Sequence, residues 1–201
     1  NPKYYIPLCE KLSKLNKNDE LKMWAYSRVD TLRRKNILSL VRSAGIKWLC
    51  LGIESGDKKI RLEVSKGKFE DVDIDKVVNQ VHESGIEIMA NYIYGLPGDT
   101  KDTINETFKL SKKLNTLGWN TYAAMALPGS ALYKEALEKN YKLPEKYEDF
   151  SFHSYNTQPL PTDSLDPAEI LKLRDNHYFE YHTNKKFLDK IKSKFGEKAK
   201  E

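Results

Sequence analysis

The apolar residues of this chain follow two spacings in turn, and the sequence repeats this alternation three times. In each repeat, apolar residues three and four positions apart are followed by a short and nearly continuous apolar run. The first spacing places apolar side chains on one face of an α-helix, and the short runs are typical of parallel strands that are covered on both sides. The repeats predict strands over residues 46–53, 86–94 and 119–125, and a similar run predicts an earlier strand over residues 23–29.

Small polar residues and glycines mark the ends of the predicted helices. The side chains expected to cap helix N termini are those of Asp30, Asp73 and Thr100. The residues expected to end helices in the left-handed conformation are Gly45, Gly85 and Gly118. Because strands that alternate with helices form right-handed βαβ units, we expect one parallel sheet. The predicted fold class is α/β, a partial TIM-like (β/α) barrel of about four parallel strands, since a closed barrel has eight.

The last third of the chain lacks this alternation. It begins with a stretch rich in aromatic residues and proline, in which we expect an ordered loop. Residues 166–169 then give a strong helix start, because aspartate, proline and glutamate occupy the cap, the first and the third helical positions. We therefore divide the chain into a partial barrel over residues 1–139 and a loop with a C-terminal α-helical extension over residues 140–201.

The composition is that of a globular protein without a membrane span. Hydrophobic residues make up 39% of the chain and charged residues 31%. The longest apolar stretch, residues 48–53, is far shorter than the roughly 20 residues of a membrane-spanning helix. The N terminus has no apolar region typical of a signal peptide, so we expect a cytoplasmic protein. Since the first residue is not Met, we also expect the chain to be a segment of a longer protein.

The net charge and the two cysteines argue against a nucleic acid partner, a disulfide and a metal site. The net charge of +5 includes a lysine-rich C terminus, but no basic stripe carries interleaved aromatic residues, so we expect no nucleic acid partner. The two cysteines, Cys9 and Cys50, lie far apart and form no C-x-x-C pair, so we expect buried free thiols rather than a disulfide or a metal site.

Polar residues and glycines come directly after each predicted strand. Arg28 ends the first strand, and Glu54 and Ser55 follow the second. Asn91 and Gly95 lie at the end of the third. In parallel α/β folds the ligand lies beyond the carboxyl ends of the strands, where glycines admit a close approach and helix N termini favour an anion. The sequence therefore predicts a ligand site at these ends.

Three segments in this region resemble a known family. They are LGIESGDKKIRLEVSKG, IYGLPGDT and ALPGSALY. In this order and spacing they resemble strands four to six of the radical S-adenosylmethionine (radical SAM) barrel, within a similarity that covers residues 20–138. The similarity is strongest to cobalamin-domain-associated radical SAM enzymes and oxygen-independent coproporphyrinogen oxidases. It implies an enzyme that uses S-adenosylmethionine on a small-molecule substrate, and a cobalamin-binding domain before the barrel is compatible with it.

The resemblance implies roles for individual residues of this chain. Glu54 occupies the position that holds the ribose hydroxyls, which suits a carboxylate because it accepts from two hydroxyls at once. Ser55, the next residue, is included in the predicted cofactor site. Lys66 matches a basic position that pairs with the methionyl carboxylate, and Arg28 is a second candidate with bidentate geometry.

A second group of residues is expected near the adenine. Asn91, Ile93 and Gly95 follow the family's G-x-I-x-G pattern, with Asn in place of the first Gly. The amide of Asn91 offers hydrogen bonds to the nucleoside in place of the close packing that Gly would permit. No catalytic residue is assigned in this chain.

The resemblance also identifies what this chain lacks. The family binds a 4Fe-4S cluster through a C-x-x-x-C-x-x-C motif after strand one, and neither this motif nor strands one and two are present. The resemblance implies that the intact protein reductively cleaves S-adenosylmethionine to a 5′-deoxyadenosyl radical, whereas this fragment alone is predicted to be inactive. Without strands one and two, strand three would be a bare edge, through which we expect self-association.

Two other functions remain open at this point. An aldolase-like, phosphate-binding barrel would carry a Schiff-base lysine or metal ligands at its strand ends, and the four predicted strands carry no inward lysine. A degenerate barrel that serves as a binding or scaffold module would lack the cysteine motif even in the intact protein.

Overall fold

The computed structural model of the protein describes residues 2–32, 35–65 and 70–200, with the side chains of residues 35 and 36 left out. The strands are β1 (Met23–Arg28), β2 (Ile46–Glu54), β3 (Glu87–Tyr94) and β4 (Gly118–Ala123). The helices are α1 (Pro2–Leu15), α2 (Lys35–Ser43), α3 (Lys58–Ser65), α4 (Ile74–Glu83), α5 (Lys101–Leu114), α6 (Ala131–Glu138), α7 (Pro167–Thr183) and α8 (Lys185–Phe195). Short 3₁₀ helices cover Val29–Leu32, Tyr147–Phe150 and Glu197–Ala199.

The four strands form one sheet in the order β1-β2-β3-β4, and every neighbouring pair is parallel. Each strand is followed by at least one helix before the next strand begins. The predicted α/β class with four adjacent parallel strands is therefore confirmed. Among the described residues, no helix is both long enough and apolar enough to span a membrane.

The two faces of the sheet have different surroundings. Along β3 the residues alternate strictly, and Ile88, Ala90, Tyr92 and Tyr94 are all fully buried on the outer face, which the helices cover. The side chains of the opposite, inner face are more accessible, and Tyr26 on β1 is 86% exposed. This alternation follows from the period of two in a strand, which sends successive side chains to opposite faces.

The C-terminal helices belong to the same core as the sheet. Tyr181 of α7 stacks on Trp119 of β4 with ring centroids 5.6 Å apart, and its hydroxyl donates to the carbonyl of Thr116 at 2.8 Å. His177 stacks on Phe108 of α5 at 3.9 Å between ring centroids. The outer face of the sheet is thus closed by the helical extension as well as by the helices of the repeats. The division of the chain at residue 139 stays a prediction.

The predicted helix boundaries were right at most positions and wrong at two. Asp73, Thr100 and Asp166 cap their helices as expected. Gly118 does not end a helix, because α5 stops at Leu114 with Asn115 in the left-handed conformation at a φ of 47°. Gly118 instead opens β4, where any larger residue would overlap the side chain of the adjacent Met89.

Asp30 is the second exception. It lies inside the 3₁₀ helix Val29–Leu32 and is therefore not the helix N-cap that we predicted. Its carboxylate accepts two hydrogen bonds from the guanidinium of Arg28, each 3.1 Å long. The pairing is local, because the two residues are only two positions apart at the end of β1.

Candidate functional site

A cavity of about 640 Å³ opens on the inner face of the sheet, where β1, β2 and β3 end. Four of the predicted site residues line it: Arg28, Glu54, Asn91 and Ile93. Ala25 and Ser27, which lie on the other face of β1, line the same cavity. The cavity therefore extends around the edge strand, and its volume suits a ligand the size of a nucleoside derivative.

Glu54 has an unusual backbone conformation at this site. Its φ is 70°, and the N–H of Ser55 donates to the carbonyl of Ile53 at 3.0 Å, which closes a γ-turn around Glu54. The register between β2 and β3 shifts at the same point. A γ-turn with positive φ is rare and strained, and such strain concentrates at functional sites.

The side chain of Glu54 is partly buried, and it lines the cavity. Burial raises the pKa of this carboxyl, and the opposing attraction of Arg28 is the smaller effect. No described residue donates a hydrogen bond to its oxygens. Gly52 makes the conformation possible, because a Cβ at that position would overlap Oε1 of Glu54. A partly desolvated acceptor without a donor is the group that a pair of ligand hydroxyls would satisfy.

Arg28 lies at the end of β1 on the same cavity. Its guanidinium forms the ion pair with Asp30, and its side chain is 43% exposed. An anionic ligand group at this position would share Arg28 with the Asp30 carboxylate.

Asn91 and Ile93 project from the inner face of β3. The amide nitrogen of Asn91 is 3.4 Å from the carbonyl of Met89, which is long for a hydrogen bond. Ile93 packs against a small apolar cluster of Ile60, Leu96 and Ala124. The two side chains thus offer an amide and an apolar surface next to each other, a combination that suits a heteroaromatic base.

Three predicted site residues are not among the lining of this cavity. Ser55 is 1% exposed, and its hydroxyl lies 3.2 Å from that of Thr107 on α5. Gly95 has a φ of 76°, and a Cβ there would be 2.8 Å from Cδ1 of Ile170 on α7. Lys66 lies outside the described residues. The roles of these three residues in binding stay predictions.

The cavity also has lining residues that sequence reasoning missed. They include Tyr26, Cys50, Gly52 and Tyr122. The alternation of side chains along a strand predicts three of them, because residues two or four positions apart lie on the same face. Tyr26 precedes Arg28 by two positions, and Gly52 and Cys50 precede Glu54 by two and four. Burial raises the pKa of the Cys50 thiol, and the nearby Tyr26 hydroxyl is a smaller, opposing influence.

The residues of this chain do not fit an iron–sulfur cluster. Its sequence contains two cysteines, and a C-x-x-x-C-x-x-C motif needs three. Both are buried free thiols. Among the described residues, no group of three His, Cys, Asp or Glu side chains could hold a metal ion. Any cluster ligands would have to come from outside this chain.

Comparison with known proteins identifies the family. The model of the Radical SAM superfamily matches residues 1–111, which is more than half of the chain. The chain belongs to the radical SAM superfamily. This membership confirms the resemblance read from the strand ends and decides against an aldolase-like barrel.

Curated relatives are much longer than this chain. It is 29% identical over 192 residues to the anaerobic magnesium-protoporphyrin IX monomethyl ester cyclase of Rubrivivax gelatinosus, covering 92% of this chain and 32% of that protein. A protein of the same name from Cereibacter sphaeroides is 26% identical over 190 residues, with 92% and 29% covered. The chain therefore spans about a third of the length of these relatives.

Solved structures of the superfamily share the fold. The radical S-adenosylmethionine methyltransferase TsrM from Kitasatospora setae, with cobalamin and a [4Fe-4S] cluster bound, aligns with a TM-score of 0.57 at 20% identity, over 66% of this chain and 27% of that one. Coproporphyrinogen III oxidase (HemN) from Escherichia coli, a radical SAM enzyme, aligns with a TM-score of 0.56 at 18% identity, over 86% and 36%. The α/β fold of the radical SAM barrel is thereby confirmed, and a cobalamin domain stays a prediction.

Proposed function

We propose that this chain forms the nucleoside-binding part of a radical SAM active site in a longer protein. The observation that carries the proposal is the Glu54 carboxylate, held in a strained γ-turn on a cavity and without a hydrogen-bond donor among the described residues. Two ribose hydroxyls would supply the donors that it lacks. The activity proposed for the intact protein is reductive cleavage of S-adenosylmethionine to a 5′-deoxyadenosyl radical.

Each lining residue has a role in this proposal. Glu54 holds the ribose, and Arg28 pairs with the methionyl carboxylate while it also contacts Asp30. Lys66 is proposed as a second cation for that carboxylate. Asn91 and Ile93 contact the adenine, one through its amide and the other through its apolar surface.

Binding of the cofactor tests this proposal directly. We would follow the ¹H–¹⁵N NMR spectrum of the chain during titration with S-adenosylmethionine. We expect shifts at Glu54 and Asn91, and a dissociation constant that rises about tenfold in Glu54→Gln, since hydrogen bonds to a charged group contribute about 1.5–3 kcal/mol. Glu63→Gln is the control, because Glu63 is an exposed residue of α3. The absence of any shift would favour the alternative of a scaffold module.

The isolated chain is proposed to lack the cleavage activity of the intact protein. The reason is the cysteine count, because two thiols cannot provide the three-cysteine motif. We would reconstitute the chain with iron, sulfide and a reductant, add S-adenosylmethionine, and measure 5′-deoxyadenosine by chromatography. Product above the level of the protein-free control would contradict this proposal.

We also propose that the chain self-associates through β1. This strand is at the edge of the described sheet, and its inner-face residues Trp24 and Tyr26 are 55% and 86% exposed. Unpaired backbone groups beside exposed aromatic side chains favour pairing with another chain. Light scattering should show a mass that rises with concentration, and Tyr26→Lys should reduce it. A constant monomer mass at high concentration would contradict the proposal.

A further inference from the structure

The turn that follows Glu54 is anchored to α5, the helix that comes after the neighbouring strand β3. The N–H of Gly56 donates to Oγ1 of Thr107 at 2.8 Å, and Oγ of Ser55 lies 3.2 Å from the same atom. Thr107 is 1% exposed. A Cβ on Gly56 would be 2.6 Å from Cα of Thr107, so only glycine lets the turn lie directly on the helix.

The hydrogen positions in this contact follow from the chemistry of a hydroxyl group. The Thr107 hydroxyl donates its one hydrogen to the carbonyl of Thr103 at 3.0 Å. Both of its contacts with the turn are therefore acceptor contacts, and Ser55 must be the donor. The Ser55 oxygen in turn accepts from the N–H of Asp57 at 3.1 Å. Removal of either hydroxyl would leave buried polar groups without partners.

The same turn is held from its other side. Nη1 of Arg61 donates to the carbonyl of Ser55 at 2.7 Å and to that of Gly56 at 3.0 Å. A residue other than glycine costs about 1–2 kcal/mol in the left-handed region, and it persists there only when its surroundings hold it. The contacts of Thr107 and Arg61 hold the two residues that directly follow Glu54, whose φ is 70°.

We propose that Thr107 is a positioning residue for the cofactor site. It fixes the Ser55–Gly56 turn on α5, and the turn keeps the carboxylate of Glu54 in the cavity. This inference rests on the proposed function of Glu54. Thr107 is not among the residues that line the cavity, so it acts on a ligand only through Glu54.

The first experiment compares three substitutions on α5 by NMR titration of the whole chain with S-adenosylmethionine. We expect Thr107→Val to raise the dissociation constant about tenfold. This corresponds to the loss of about one hydrogen bond from the ligand to the charged Glu54 carboxylate. Thr107→Ser keeps the hydroxyl and should restore wild-type affinity. Ser111→Ala is the matched control, because Ser111 is also buried on α5 but donates to the carbonyl of Phe108, away from the turn.

A double-mutant cycle with Glu54→Gln distinguishes positioning from a general loss of structure. If Thr107 acts through Glu54, Thr107→Val causes no further loss in the Glu54→Gln background. Additive losses, or a Thr107→Val variant that binds like Ser111→Ala, would overturn the inference while the role of Glu54 stands. If Glu54→Gln itself binds normally, the proposed function fails. Should circular dichroism show that Thr107→Val is unfolded, Ser55→Ala removes one of the two contacts between the turn and Thr107. We then expect a smaller loss of affinity, which should likewise disappear in the Glu54→Gln background.

Discussion

Gly52→Ala should weaken the binding of S-adenosylmethionine while leaving the stability of the fold nearly unchanged. A Cβ at this position would overlap Oε1 of Glu54 but would lie 3.5 Å from its Cδ, so only the tip of the carboxylate has to move. The tip is the flexible end of a side chain, and Gly52 does not require a positive φ. Loss of the ribose contacts should weaken binding about 10- to 100-fold, the range for hydrogen bonds to a charged group, while the free energy of unfolding changes by less than about 1 kcal/mol.

Isothermal titration and urea denaturation measure the two quantities on the same protein. The comparison variant is Gly56→Ala, whose Cβ would meet backbone atoms of Thr107 and Glu106 at 2.6–2.7 Å. Because backbone cannot swing aside, this variant should lose about 1–3 kcal/mol of stability. Wild-type affinity in Gly52→Ala would refute the argument that the Glu54 carboxylate holds the ligand. A large loss of stability in Gly52→Ala would refute the claim that the overlap affects only a flexible side chain.

Three further predictions concern pH and capping. Burial raises the pKa of Glu54, so this carboxyl should lose its charge at a higher pH than an ordinary glutamate does. In a series of titrations at decreasing pH, the affinity for S-adenosylmethionine should therefore begin to fall at that higher pH. In Glu54→Gln this part of the pH dependence of the affinity should be absent. Burial lowers the pKa of His177 to about 4, so the unfolded chain binds a proton at this residue that the folded chain does not. Between pH 7 and 5 this residue should lower the free energy of unfolding by up to about 2 kcal/mol, so urea curves of His177→Phe should depend less on pH than those of the wild type. His82, whose pKa burial also lowers to about 4, makes a separate contribution that remains in this variant. Asp166→Ala removes a helix cap and should lower the denaturation midpoint by the equivalent of about 1 kcal/mol, whereas Asp163→Ala should not.

The sequence predicted the strands well because each one is a short apolar run between a helix end and a polar turn. All four predicted strands exist, with boundaries that differ by one or two residues. The exception at Gly118 has a physical reason. Asn also adopts the left-handed conformation, and Asn115 ends α5 three residues earlier, while Gly118 lies in β4 against the side chain of Met89. A glycine that follows a helix can thus either end that helix or begin the next strand, and the spacing of residues alone does not distinguish the two.

The sequence could predict the site residues that lie at strand ends. It could not predict the residues whose role depends on contacts between elements that are distant in the sequence. Arg28, Glu54 and Asn91 line one cavity because the carboxyl ends of adjacent parallel strands lie together. The role of Thr107 could not be read from the sequence, since a threonine on a helix face is indistinguishable from a surface residue until the turn that it contacts is known. The space that Gly52 leaves for Glu54 is equally a property of the folded chain.

The two faces of the sheet explain why binding and stability should respond to different substitutions. On the outer face, Tyr92 and Tyr94 are fully buried, and His177 of the C-terminal extension hydrogen-bonds with the Tyr94 hydroxyl at 2.9 Å. Burial on this face supplies most of the apolar contacts that hold strands to helices. The inner face carries the open cavity, and its strained Glu54 is held by a turn rather than by the core. Substitutions on the inner face should therefore change affinity with little change in stability, and substitutions on the outer face should do the reverse.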